Sequence, residues 1–246
     1  MRAWAALLKK DFKLTRTVFF VGLVINLLMV MLTIYLGTIA GNTLLMFIPL
    51  VVAVVFHALY VPIIVFISLR IEVNQLHLWL HNPQPASTLL ISKIVNGLIM
   101  IVISLLMLYV MSGLLVIPKF NLFEAYWADT WISALIIFPH IIMISTAIGV
   151  WVLFLWALFQ FVKNTIGRWS WLVVIGAVII PPWASALFES TNLYRLVTRW
   201  GNITYDFPTF SIDPLQTYAG EYLYNFIIII GVFFLTAWIM DNKVEV

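Results

Sequence analysis

The chain has 246 residues, of which 64% are hydrophobic and 9% are charged, with a net charge of +3. Soluble domains carry about 25% charged residues, so this composition excludes an ordinary soluble fold, and the small net charge gives no indication of nucleic-acid binding. Cysteine is absent, which excludes disulfide bonds, thiolate metal ligands and cysteine nucleophiles.

Charged residues divide the chain into pieces of membrane-spanning length. Five runs contain no Asp, Glu, Lys or Arg, and they comprise residues 17–69, 94–118, 130–162, 169–188 and 222–240. A helix needs roughly 20 apolar residues to cross a bilayer core of about 30 Å. The runs predict one all-α integral membrane domain over 1–246, and the first run is long enough for two spans separated by the turn residues at 37–42. The six predicted transmembrane helices are 18–36, 44–69, 94–117, a span within 131–161, 169–188 and 223–240.

The fourth predicted span carries a proline that should disturb it. Its run is too long for one upright helix and too short for two, and Pro139 lacks the N–H that a helix interior needs. We expect a short lead-in segment over 131–138 followed by the main span. A strongly tilted single helix is the alternative.

Positive charge is distributed unevenly between the two predicted sides. With six spans both termini share one side, and that side holds ten of the 13 Lys and Arg residues, whereas the other holds three. Because Lys and Arg concentrate in cytoplasmic loops, both termini are predicted to be cytoplasmic. We expect a multi-pass protein of the plasma membrane, in a bacterial cell.

The first 17 residues are predicted to form an amphipathic helix that lies in the cytoplasmic interface. Basic residues share one side of its helical wheel, and apolar residues take the other. Asp11 is the only charged residue among the apolar positions. Its carboxylate is expected to pair with a neighbouring element or a partner subunit, and plain topological anchoring is the simpler role of the segment.

The longest predicted cytoplasmic loop comprises residues 70–93. It indicates a short helix over 72–80 that is stopped by two prolines, after which Ser87 or Thr88 can cap the next helix. The apolar side chains of the short helix favour contact with either a partner protein or the membrane surface.

The segment 189–221 is predicted to lie on the outer side. It is rich in aromatic residues and is interrupted by Pro208 and Pro214, which indicates short helices that dip into the outer leaflet. Irregular backbone at that depth has to be buried in protein or face water.

The chain lacks the signatures of an energy-coupling or hydrolytic site. No G-x-x-x-x-G-K-[ST], H-E-x-x-H or G-x-S-x-G pattern occurs, and no charged residue lies within the predicted spans. His77 and His81 have the spacing of half a metal site, but no Cys or acidic pair completes it, so no catalytic, cofactor or metal residue is predicted. Asn26, His57 and His140 lie inside the apolar runs, where they form packing contacts between helices or polar contacts with cargo.

The layout resembles the membrane subunit of type-2 ABC exporters, the ABC-2 permease family. The basic start LLKKDFKLTR at 7–16, the six spans and the segment LHLWLHNPQPASTLLISKIVNG at 76–97 carry the resemblance. That segment is similar to the family's pattern of a Leu-rich stretch, a Pro-containing small-polar turn and a Lys that opens the next helix. The matching residues are Leu80, Pro83, Pro85, Ser87, Ser92 and Lys93.

The resemblance implies a coupling helix in the 70–93 loop that docks into a separate ABC ATPase subunit, and re-entrant outer segments before the last span. The coupling residues that it implies are Glu72, Leu76, Leu78, Trp79, Leu80, Pro83 and Pro85. It also implies a second permease subunit, identical or paralogous. ATP and Mg²⁺ belong to the partner ATPase, and no cofactor is expected in this chain. The chain departs from the family in lacking a large extracellular domain and in carrying two prolines where one is usual.

The leading prediction is therefore the membrane-spanning subunit of an ATP-driven exporter that moves a hydrophobic or amphipathic peptide, drug or lipid outward and is not itself an enzyme. The alternative is a non-transporting membrane module for antimicrobial-peptide immunity or sensing. A membrane enzyme ranks third, because catalytic residues are hard to find. The expected partners are the ATPase, the second permease subunit and membrane lipid, and no nucleic acid.

Overall fold

A computed structural model describes residues 2–39, 45–73, 84–116, 127–205 and 215–243 of the chain. These residues are mainly helical, and five helical stretches are long and apolar enough to cross a bilayer. The structure thereby confirms the prediction of a helical, multi-pass membrane protein. The elements are α1 (Arg2–Ile39), α2 (Ile48–Phe56), α3 (Tyr60–Val73), α4 (Ala86–Val116), α5 (Trp127–Ile166), α6 (Ser170–Glu189), α7 (Asn192–Thr198), β1 (Asn202–Tyr205), β2 (Leu215–Tyr218) and α8 (Ala219–Asn242).

Two compact units divide the chain. The first comprises Met1–Gln75 and Ile91–Gly149, and so contains α1, α2, α3, most of α4 and the first part of α5. The second comprises Leu76–Leu90 and Val150–Val246, with the later helices and the strand pair. The core of the first unit lies between α1, α2, α3 and α4. Its buried side chains include Val30, Leu50, Ala53 and Leu108 in one cluster and Phe19, Ile64 and Met100 in another.

The first helix is continuous over 38 residues. The sequence predicts that an interfacial helix ends at Thr17 and that a separate span covers 18–36, but the helix continues through this boundary. The first glycine is Gly22 and the first proline is Pro49, so no helix-breaking residue interrupts the early turns. At 1.5 Å per residue, α1 is about 57 Å long, nearly twice the thickness of a bilayer core. The amphipathic start is therefore a continuous extension of the span.

The second span is helical on both sides of a short 3-10 turn at His57–Leu59. Pro62 follows this turn and has no N–H, which leaves one carbonyl of the turn without its helical donor. The N–H of Val61 donates to Ser145 Oγ on α5, at 3.0 Å. The observed apolar stretch, Leu45–Val73, agrees with the predicted span over 44–69.

Helix α5 runs without interruption through Pro139. The expected lead-in segment over 131–138 is therefore wrong, and the single long helix given as the alternative is closer to the observed element. A membrane-spanning helix tolerates an internal proline because side chains and neighbouring helices bond the freed backbone groups. The Nδ1–H of the neighbouring His140 donates to the Ile136 carbonyl at 2.6 Å, one turn earlier.

The boundary between α5 and α6 is a glycine turn. Gly167 has a φ of +57°, in the left-handed region that glycine adopts without steric cost. Phe159 on α5 and Trp171 on α6 have ring centroids 5.0 Å apart. Twelve residues along one straight helix would separate two such positions by about 18 Å. The chain thus bends sharply at Gly167, between the segments predicted as the fourth and fifth spans.

Helix α4 begins at Ala86, eight residues before the start of the predicted third span. Ser87 and Thr88 lie inside its first turn, so neither is its N-cap residue, contrary to the expectation. The Ala86 N–H donates to Asp241 Oδ1 on α8 at 2.9 Å. A carboxylate at this position satisfies a free N–H and interacts favourably with the helix dipole.

The segment between α6 and α8 forms a short helix and a strand pair. The helix α7 begins after Thr191, whose Oγ1 accepts from the Tyr194 N–H at 3.2 Å. Strands β1 and β2 are antiparallel, with Asn202 opposite Tyr218. The helix agrees with the predicted short helices, whereas the strand pair does not. Thr, Ile and Tyr in NITY and LQTY favour extended backbone, which explains the difference.

Candidate functional site

A cluster of charged side chains lies where α1, α3 and α4 meet in the first unit. The ammonium nitrogen of Lys93 on α4 lies 2.7 Å from Glu72 Oε2 on α3 and 3.2 Å from Asp11 Oδ1 on α1. The ammonium nitrogen of Lys10, also on α1, lies 2.7 Å from Glu72 Oε1. We term these four residues, Lys10, Asp11, Glu72 and Lys93, the ion network.

Hydroxyl groups add further bonds to the ion network. The Lys93 ammonium donates to Ser68 Oγ on α3 at 2.9 Å. Ser92 Oγ, adjacent to Lys93 on α4, donates to Asp11 Oδ2 at 2.5 Å. Each of the two most deeply buried charges therefore has both an ionic partner and a hydroxyl partner.

Helical spacing on α1 explains how Asp11 reaches this cluster. Leu7, Asp11, Thr15 and Phe19 recur every four residues and are all buried. Thr15 Oγ1 accepts from the side-chain amide of Asn96 on α4 at 2.9 Å. This stripe packs against other helices of its own unit, and the expected pairing of Asp11 with a neighbouring element is confirmed.

The ion network has little contact with solvent and is balanced in charge. The side chain of Lys93 is 1% exposed and that of Asp11 is 0% exposed, whereas Lys10 is 45% exposed. Burying a charge costs several kcal/mol unless the charge is paired and hydrogen-bonded. Two ammonium groups and two carboxylates give no net charge, so the pairing offsets the cost of burial.

The ion network joins the two ends of the loop predicted to contact a partner. Glu72 lies at the end of α3 and Lys93 in the first part of α4, so their contact bridges residues 74–83. Of the predicted coupling residues, Glu72 is half-buried in the network, and Pro85 is exposed just before α4. The remaining predicted coupling residues lie outside the described residues: Leu76, Leu78, Trp79, Leu80 and Pro83.

Three polar residues form a second cluster, among the apolar side chains of the first unit. The His57 Nδ1–H donates to the Ala53 carbonyl at 2.7 Å, which leaves Nε2 to accept from Ser104 Oγ at 3.0 Å. The side-chain amide of Asn26 donates to Ser104 Oγ at 2.9 Å and to the Ser104 carbonyl at 3.2 Å. We term Asn26, His57 and Ser104 the polar triad. It links α1, α4 and the turn between α2 and α3.

A groove of about 410 Å³ lies between α1 and the α2–α3 stretch, beside the polar triad. Asn26, His57, Gly22 and Tyr60 are among the residues that line it. A Cβ atom at Gly22 would lie 2.8 Å from the Tyr60 hydroxyl, so the glycine allows the tyrosine ring to lie against α1. The same ring stacks on His57 with the ring centroids 5.4 Å apart.

The structure brings two of the three predicted intramembrane polar residues together. Asn26 and His57 meet through Ser104, whereas His140 is half-buried on α5 outside this triad. Ser104 is one serine in an apolar run and carries no distinctive signal in the sequence. Lys93 was predicted only to open the third span. The position of Lys93 directly before a 25-residue charge-free run is the signal that this charge enters the helix bundle.

Both clusters consist of ion pairs and hydrogen bonds that join helices of the first unit. Within the ranges that the structure describes, no group of three or more His, Cys, Asp or Glu side chains could hold a metal ion. No family model matches the chain, and no curated protein or solved structure is similar to it. The function is therefore inferred from the residues and their geometry.

Proposed function

We propose that this chain is the membrane-spanning subunit of an ATP-driven exporter of the ABC-2 type, driven by a separate ATPase. The observation that carries the proposal is the 2.7 Å contact of Glu72 with Lys93, which joins α3 to α4 on either side of the predicted coupling segment. A partner that moves this loop would displace both of its ends together. Through Asp11, the displacement would also reach α1.

The burial of the ion network supports this role in transmission. Buried ion pairs are screened by salt and water much less than exposed ones. Packed side chains and networks of hydrogen bonds and salt bridges that have two discrete arrangements can carry coupling between distant sites. Because Lys93 on α4 bonds both Glu72 on α3 and Asp11 on α1, a displacement of one of these helices would move the other two as well.

In this proposal the chain crosses a bacterial plasma membrane six times, with α5 and α6 as separate spans and both termini in the cytoplasm. The excess of Lys and Arg on the side of the 70–93 loop supports the orientation. A second permease subunit, identical or paralogous, completes the membrane part, and the ATPases bind ATP and Mg²⁺. Cargo that is hydrophobic or amphipathic suits spans whose polar triad carries no carboxylate or ammonium group.

Co-purification tests the proposal. The full chain, produced with the ATPase candidates encoded beside its gene, should retain an ATPase in mild detergent and alter its turnover in liposomes. Replacing Leu76, Leu78 and Leu80 with Ser should abolish the association. Leu196→Ser is the matched control, because Leu196 is 82% exposed on α7, on the side predicted to be opposite.

The outcomes separate the readings of this chain. An ATPase that binds the loop variant as well as the natural chain would place the docking contact elsewhere. Failure of every ATPase candidate to bind, together with specific binding of an antimicrobial peptide, would favour the immunity or sensing module. Uphill solute movement by the chain alone would contradict the proposal outright.

A further inference from the structure

The groove beside the polar triad contains an unused hydrogen-bond acceptor. A backbone carbonyl can only accept, so the bond to the Ser104 carbonyl fixes the NH2 group of Asn26 toward Ser104. The second N–H of that group is used by Ser104 Oγ. Asn26 Oδ1 is therefore turned away from Ser104, and it has no hydrogen-bond donor among the residues that the structure describes. Asn26 is 4% exposed and lines the groove.

Thirteen described residues line the groove. Apart from Asn26, His57 and Tyr60, these residues are apolar, and none of the thirteen carries a carboxylate, ammonium or guanidinium group. One side is open, since Val21 and Ile25 on α1 and Ile63 on α3 are each about half exposed. The volume of about 410 Å³ lies within the range of about 300–1,000 Å³ that is usual for small-molecule sites.

We propose that the groove binds an uncharged amphiphile that has a long apolar body and a hydroxyl or N–H group, with the donor of that group bonded to Asn26 Oδ1. A charged headgroup does not fit, because the lining supplies no opposite charge. A plain hydrocarbon chain fills the apolar part but leaves Asn26 Oδ1 without a donor. The Tyr60 hydroxyl, whose own bond to the Phe19 carbonyl is long at 3.5 Å, is a second polar contact for the ligand headgroup.

The site is independent of the proposed exporter function. Every residue that lines the groove lies between Val18 and Ile64, within the first unit, and binding needs no ATPase. A negative result at the groove leaves the exporter proposal standing. Failure of ATPase binding likewise leaves the groove proposal standing.

The test uses two photoreactive probes that differ only in whether their oxygen carries a hydrogen or a methyl group. The full chain in lipid nanodiscs is labelled either with a diazirine-bearing hexadecanol or with its methyl ether, which has no O–H donor, and the labelled residues are mapped by peptide mass spectrometry. We expect both probes to label α1 and the α2–α3 stretch. The alcohol should label roughly fivefold more than the ether, because one hydrogen bond changes affinity by about that factor. Unlabelled 1-hexadecanol should also displace the alcohol probe roughly fivefold better than its methyl ether does.

Three variants locate the site. Asn26→Leu should reduce labelling by the alcohol to the level of the ether. Val21→Trp should fill the open side and remove labelling by both probes. Leu28→Trp is the control, because Leu28 is 57% exposed on the same helix and lies outside the lining, and it should label as the natural chain does.

Two results would overturn the proposal. Equal labelling of the natural chain by alcohol and ether would identify a groove for any lipid chain, without a role for Asn26. Unchanged labelling in Val21→Trp would place the probe outside the groove. If Asn26→Leu does not fold, the comparison of the two probes on the natural chain and on Val21→Trp still decides the question.

Discussion

Asp11 and Lys93 are 82 positions apart in the chain, and their side chains meet at 3.2 Å with 1% or less of either exposed to solvent. Removing one member of such a pair leaves a buried charge without its partner, which is far costlier than replacing both members by neutral groups. The ion network is therefore expected to determine the stability of the first unit as well as to link its helices.

Lys93→Met is expected to destabilise the protein by about 3–5 kcal/mol, because Asp11 loses its buried counter-charge. The double variant Asp11→Asn, Lys93→Met should recover part of that loss, since Glu72 keeps Lys10 as a partner. Unfolding in mixed micelles measures both. The control is Lys9→Met, an exposed neighbour that should stay within about 0.5 kcal/mol of the natural chain. Strictly additive losses in the double variant would show that the pair is not coupled.

Gly149 allows α5 to approach α3 closely. A Cβ atom there would lie 2.8 Å from Val61 Cγ1, inside any normal contact distance. Gly149→Ala should therefore destabilise the protein by about 1–3 kcal/mol, as overpacking does, and Val61→Ala should relieve part of this cost in the double variant. The change in stability is measured by heating each variant and following the loss of its native peak in gel filtration.

The control for this prediction is Gly113→Ala. A Cβ atom at Gly113 meets nothing within 4 Å, so the substitution should stabilise α4 by about 0.5–1 kcal/mol. If Gly149→Ala behaves as Gly113→Ala does, the close approach of α5 to α3 is wrong.

Gly167→Ala probes the turn between α5 and α6. With φ at +57°, an alanine there should cost about 1–2 kcal/mol from backbone strain alone, because the site has no neighbouring atom within 4 Å to clash with. Gly176→Ala within α6 is the matched control and should be neutral or stabilising. The comparison of apparent Tm values is the measurement, and equal Tm values would place Gly167 in ordinary helical backbone.

Hydropathy predicts the spans of this chain better than it predicts where one helix ends and the next begins. The predicted fifth and sixth spans lie within a few residues of α6 and α8, because charged residues mark their ends in the sequence. Helix α1 continues through Thr17 although Arg16 marks that boundary in the sequence, because no glycine or proline interrupts its early turns. The predicted break at Pro139 is wrong because lipid offers the backbone no water to bond with, so the helical hydrogen bonds persist on both sides of the proline.

The candidate site was accessible from the sequence only in part. Asn26, His57 and Asp11 stand out as polar residues among apolar ones. Their partners Ser104 and Lys93 are distant in sequence, and no local pattern indicates which helices meet. Long-range contacts of this kind follow from the three-dimensional arrangement of helices.

Glu72→Gln tests whether the ion network transmits work from the loop. The neutral amide cannot form the ion pair with Lys93, whereas Lys93 keeps Asp11 and Ser68 and the fold is preserved. We expect the partner ATPase to remain bound while its stimulated turnover in liposomes falls at least about fivefold, the lower end of usual coupling energies. The 45% exposed Lys10 is the matched control, because Lys10→Gln leaves the Glu72–Lys93 contact intact and should reduce turnover much less. Full turnover in Glu72→Gln would show that the Glu72–Lys93 contact does not transmit the displacement. An equal loss of turnover in Lys10→Gln would lead to the same conclusion, because that variant keeps the contact.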